Sequence, residues 1–148
     1  TIGLYFNDAA PAREIVTRPV SAKFTLAAKD ADRSLLASYE FTEKATLLAL
    51  RPRMNQRGKD MKFDLLPSVG EAKTLISVPA YNYGWQPQYW LETPHDLEPG
   101  AVINVSGTLD NSLSNPFNPN FQQEVSWGFD SGQEMFTGYL TYAIDRAH

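Results

Sequence analysis

Short alternating segments, cut every few residues by proline or glycine, leave this chain little to form but strands. Val20, Ala22, Phe24 and Leu26 alternate with Ser21, Lys23 and Thr25. Leu35, Ala37, Tyr39 and Phe41 alternate with Leu36, Ser38 and Glu40. Met61, Phe63 and Leu65 repeat the pattern, as do Ile103, Val105 and Leu109, and Phe136, Leu140, Tyr142 and Ile144 close the series. Side chains two residues apart share a face of a strand, so each segment reads as a half-buried strand. Ten prolines and nine glycines punctuate the series, and Pro99-Gly100 predicts a turn before a strand over 101–109. No window sustains a 3.6-residue period between two caps. The expectation is an all-β fold, an antiparallel β-sandwich of jelly-roll type.

The chain's 148 residues suit one domain over 1–148, large enough to bury a core without staples. Thirteen basic against seventeen acidic residues give a net charge of −4, which offers no electrostatic footprint for nucleic acid. The absence of cysteine excludes disulfides, thiol catalysis and thiolate metal sites, and leaves the compartment open. No run of 18 apolar residues is present to span a membrane as a helix. No signal peptide is visible, and Ile2-Gly3-Leu4-Tyr5-Phe6 reads as a strand, as expected of a mature or partial chain.

Several motifs occur in a fixed order. They are Ile2-Gly3-Leu4, the stretch from Tyr39-Glu40-Phe41 to Leu50, the run Arg51 to Met61, Val78 to Gln86, Leu109 to Ser112, Asn115 to Pro119, and Trp127 to Met135. Together they resemble the C-terminal domain of the type II copper, ascorbate-dependent monooxygenases, the family of peptidylglycine hydroxylating and dopamine beta-monooxygenases. Bacterial relatives carry a Pro-His-x-His-x-Arg-Gly-Lys run and a later Trp-Gly…Glu-Met run. Here Arg53 and Asn55 stand where the resemblance places the two copper-binding imidazoles, and Met135 stands at the methionine ligand position. The resemblance thus implies a vacant copper site at Arg53, Asn55 and Met135, with no metal, no cofactor and no catalytic residue. It also makes Arg51 and Tyr139 remnants of a substrate pocket, with Thr137 at the family's asparagine position.

The i, i+2 spacing points both side chains to one face of a strand. Arginine has no lone pair to give and stays protonated, an asparagine carbonyl is a weak ligand, and one thioether does not complete a copper site. A buried Arg53 is expected to pair with a carboxylate, with Asp130 and Glu134 as candidates. Glu134 is expected to point away from Met135, itself read as core filler. His95 reads as a surface turn and His148 as a mobile terminus, so they form no metal cluster. Tyr81, Tyr83, Trp85, Tyr89 and Trp90 offer either a sugar platform or core packing, and core packing is the expected reading. Asn104-Val105-Ser106 fits a glycosylation sequon inside a predicted strand. No Ser/His/Asp set, phosphate loop or paired carboxylates are found.

The expected function is therefore non-catalytic: a structural or interaction subunit that docks on a larger protein assembly. The periplasmic or extracellular setting is implied by the resemblance alone. Docking near a membrane surface would go through a partner. The alternatives are a divergent copper-dependent hydroxylase and a ligand-binding module using the Arg51 and Tyr139 pocket. The expected contact surfaces are the 111–123 loop with Leu113, Phe117 and Phe121, and the 7–19 segment. Both are irregular, proline-containing stretches with apolar residues that alternation does not assign to the core.

Overall fold

The computed structural model describes residues 2–6, 11–130 and 132–145. These form ten strands: β1 (Arg13–Ser21), β2 (Thr25–Leu26), β3 (Arg33–Glu40), β4 (Ala45–Met54), β5 (Gly58–Leu66), β6 (Lys73–Val78), β7 (Tyr89–Leu97), β8 (Val102–Leu109), β9 (Val125–Ser126) and β10 (Phe136–Asp145). One four-stranded sheet runs β1-β10-β4-β7 and the other β3-β8-β5-β6, with β2-β9 as a separate pair. Every ladder is antiparallel. The fold is an all-β antiparallel sandwich of jelly-roll type. The described residues hold no helix long and apolar enough to cross a membrane.

The alternating residues make the core. Phe63, Ile103, Val105, Leu109, Phe136 and Leu140 are fully buried and join Leu47, Leu50 and Met54 in one cluster that fills the space between the sheets. The sheets approach closely at Gly138 in β10. A Cβ there would lie 2.6 Å from a Phe63 ring carbon and 2.8 Å from the Val105 methyls, so only a residue without a side chain fits.

A bulge in β4 decides what faces outward. Tyr142 pairs with Leu47 and Thr141 with Ala49, so Leu48 has no opposite residue. The β4–β7 ladder also breaks at Leu48, stepping from Leu47↔His95 to Ala49↔Trp90. A one-residue slip exchanges the faces of everything after it. Ala45 and Leu47 face the core before the bulge, and Leu50 and Met54 after it. Arg51 and Arg53 are thereby turned to the outer face. Across the ladders Thr137 and Ser21 stand level with Arg53, and Tyr139 and Pro19 level with Arg51.

Some expectations are corrected. Ile2, Leu4, Tyr5 and Phe6 form no strand and are exposed, because no sheet edge is brought to them. The alternating run 20–26 divides into the end of β1 and the start of β2, which belong to different ladders. Residues 13–19 are regular strand, paired with β10 from Arg13↔Asp145 onward, so that part of the 7–19 segment is not irregular. Residues 7–10 lie outside the described residues, as does His148. His95 sits within β7 opposite Leu47 rather than in a turn. Asn104 lies in β8, where its side chain accepts a bond from Ser38.

Candidate functional site

Arg53, Asn55 and Met135 line a single cleft of about 470 Å³ together with Gln56, Tyr83, Phe129 and Asp130. The outward turn of β4 supplies Arg53, and the β4–β5 connection supplies Asn55 and Gln56. The 127–135 segment supplies Phe129, Asp130 and Met135, and the turn before β7 supplies Tyr83. The 127–135 segment is tied to itself. Gly128 N–H donates to the Glu134 carbonyl at 3.0 Å and Gln133 N–H to the Asp130 carbonyl at 2.9 Å. The Gln133 side chain fills the space a Cβ on Gly128 would need.

The Arg53 guanidinium does not meet a carboxylate. Among the described residues it donates to the Gln86 amide oxygen at 2.9 Å, and Arg53 takes part in no ion pair. It is half-buried, so water solvates the rest of its charge and no buried counter-ion is required. Asn55 gives its amide N–H to the Gln133 carbonyl at 3.1 Å. Met135 is buried at the floor.

Glu134 is fully buried and does not line the cleft that Met135 lines. Its carboxylate receives the backbone N–H groups of Asn55, of Arg57 at 3.0 Å and of Met135 at 2.8 Å. Burial pushes its pKa up, opposed by these three donors and by the nearby Arg57 charge. The Arg57 guanidinium, lowered by its own burial, donates to the Asn111 side chain at 2.8 Å. Asn111 is fully buried and in turn donates to the carbonyls of Ala27 and Gln123. Asn118 donates to the Asn111 side chain, and Asn115 to the carbonyls of Gln56 and Asp110. The Asn-rich 111–120 stretch is thus a loop locked by side-chain amides. On it Leu113 is 75% and Phe117 63% exposed. Phe121 is half-buried, and its carbonyl accepts Lys29 N–H at 2.9 Å.

Arg51 and Tyr139, opposite one another in the β4–β10 ladder, stack with the guanidinium 4.6 Å from the ring centre. Tyr139 lines a second, more apolar pocket of about 300 Å³ with Pro19, Lys23, Trp127, Phe129 and Thr137 among its walls. Phe129 belongs to both cavities. Trp127 meets Phe129 edge-on at 5.2 Å, and its buried indole N–H has no acceptor among the described residues.

The aromatic group is the clearest correction. Only Tyr81 is core; its hydroxyl accepts Met54 N–H at 2.9 Å and donates to the Met54 carbonyl at 2.6 Å. Trp85 is 72% and Trp90 66% exposed. Tyr83, Gln56 and Phe129 were not expected in the site. All three lie inside the motifs, but which way a rim side chain points is set by loop closure, which no period reports.

The cleft residues do not fit copper. Arg53 carries a charge and no lone pair, Asn55 has committed its amide, and Met135 alone is too weak a donor. The described residues contain no group of three His, Cys, Asp or Glu side chains placed to hold a metal.

No family model matches the chain. No curated protein matches it. Among solved structures, infectious bursal disease virus Gt strain is similar at a TM-score of 0.43 and 10% identity, covering 96% of this chain and 35% of the viral one. The VP2 subviral particle of the same virus gives 0.44 and 10%, covering 98% and 37%. The chain therefore spans little more than a third of these viral chains. The sandwich is defined by its own ladders, independently of these neighbours.

Proposed function

We propose that the domain works by contact, as a non-catalytic structural or interaction subunit docking on a larger protein assembly. The observation that supports this is the rigid presentation of Leu113 and Phe117. Both side chains are largely exposed on a loop whose backbone is held by Asn111, Asn115 and Asn118. A preformed apolar loop loses little entropy on docking, and exposed apolar side chains gain most from being covered. The periplasmic or extracellular setting of this reading, and the copper-monooxygenase ancestry of the domain, rest on the motif resemblance. The test is recovery of partners by the tagged chain from its native cells, compared with Leu113→Ser/Phe117→Ser. A partner that co-purifies with the parent and is lost from the variant, at an unchanged melting temperature, is the expected result. Equal recovery by both removes the loop as the docking surface.

A second reading draws on the Arg51 and Tyr139 stack. With Tyr139 on the wall of the apolar pocket, the pair offers a cation beside an apolar recess, the arrangement of a ligand-binding module. Ligand-induced protection of Tyr139 fluorescence or exchange, lost in Arg51→Ala, would support it.

A further inference from the structure

We propose that the cleft bounded by Arg53, Asn55, Gln56, Tyr83, Phe129 and Asp130 binds a neutral saccharide. The two rings come first. Tyr83 is 46% and Phe129 73% exposed, although both line a cavity. Single exposed aromatics need no explanation, but two on the walls of one polar cleft form a recognition surface. Aromatic faces carry partial negative charge, and the C–H edges of a pyranose ring are the weakly positive apolar surface that packs on them.

The turn that carries Tyr83 is held by its own hydrogen bonds, and the Phe129 ring by a neighbouring ring. Trp85 N–H donates to the Asn82 carbonyl at 2.9 Å, and Gly84 N–H to the Asn82 side chain at 2.8 Å. Gln86 closes the turn by donating to the Tyr83 carbonyl at 2.6 Å. Its amide oxygen accepts from Arg53, which ties the Tyr83 turn to the cleft floor. Phe129 rests on Trp127, with the Lys23 ammonium 5.5 Å from the Trp127 ring centre on that ring's face. A preformed turn and a supported ring spend little binding energy on ordering.

The polar set selects the ligand class. A sugar hydroxyl both donates and accepts. Arg53 supplies donors, Asp130 acceptors, and Asn55 and Gln56 planar amides. With its N–H committed to Gln133, the Asn55 carbonyl oxygen is the group left to accept. One arginine and one aspartate among the lining residues cancel, so a charged ligand gains no net attraction, whereas a polyhydroxyl compound gains at each group. The β4–β7 ladder ends at Leu50, but beyond it the Met54 N–H and carbonyl are both taken by the Tyr81 hydroxyl, which leaves an extended peptide little free backbone to join. The adjoining pocket shares Phe129 and is lined by Trp127, so a second sugar ring would meet a further aromatic wall there.

The test is isothermal titration of the full chain with cellohexaose, maltohexaose and mannohexaose, repeated on Tyr83→Ala, Phe129→Ala and Phe129→Leu. Because both rings are exposed, melting temperatures should not move. Saturable binding of at least one hexasaccharide is expected, weakened about tenfold by each alanine variant. Absence of binding by all three sugars at millimolar concentration overturns the proposal. So does sugar binding that survives both alanine variants. Saturable binding of N-acetyl-phenylalanylglycine amide in place of the sugars would assign the cleft to peptides and overturn it as well. The Leu113→Ser/Phe117→Ser variant should bind sugar like the parent.

Discussion

Glu134 and Arg57 are both buried, yet the carboxylate bonds to Arg57 through the backbone N–H at 3.0 Å while the guanidinium turns away to Asn111. The acid thereby organises the β4–β5 connection, and the base anchors the Asn-rich loop. One short connection holds the cleft on one side and the exposed loop on the other.

Replacing Glu134 with glutamine should cost about 1–3 kcal/mol, because the amide nitrogen meets backbone N–H donors that the carboxylate had satisfied. The pH dependence has a definite sign. Burial raises the folded carboxyl above its ordinary value of 4.5, so between that value and the raised one the folded chain binds more protons than the unfolded. Its contribution to stability is then greatest below 4.5 and falls as pH rises through the interval. Urea unfolding from pH 4 upward should show the parent losing stability relative to Glu134→Gln. Parallel curves would contradict a raised carboxyl.

Tyr81→Phe should destabilise the domain by about 1–3 kcal/mol, since the Met54 N–H and carbonyl would both lose their partner in a buried setting. Burial pushes the Tyr81 hydroxyl up to about 12. Spectrophotometric titration of the folded chain should therefore lose no phenolate absorbance near pH 10 on Tyr81→Phe. A reduced step near pH 10 would place Tyr81 in water.

Gly138→Ala should cost about 1–3 kcal/mol through overpacking against Phe63 and Val105. Denaturant midpoints measure it. A companion Val105→Ala change makes room for the added methyl, so the double variant should lose less than the two single losses combined. Simple additivity would show that the two sheets can separate at this point.

Arg53→His with Asn55→His places two imidazoles beside Met135 in the same cleft, a donor set suited to copper. On the monooxygenase-like reading the double variant takes up copper and the parent does not. Metal analysis after dialysis decides it, and equal uptake would mean the metal goes elsewhere.

The sequence by itself determined the strands and the core that two-residue alternation encodes. Phe63, Ile103, Val105 and Leu140 are buried as their spacing requires, because a pleated strand leaves every second side chain on the same face. It also placed Arg53, Asn55 and Met135 in motifs that the structure brings to one cleft. Tertiary structure decided the rest. The Leu48 bulge chose the face of Arg51 and Arg53, and a bulge shifts the period without marking it in composition. Ile2–Phe6 carries the residues of a strand but pairs with none of the described residues, since a strand exists only against a partner. Trp90 lies outside on β7, an edge strand, and Trp85 on the turn before it. Glu134 turned inward because three backbone donors converge there from separate segments. Burial of a charge is settled by such convergence, and no local pattern of residues contains it.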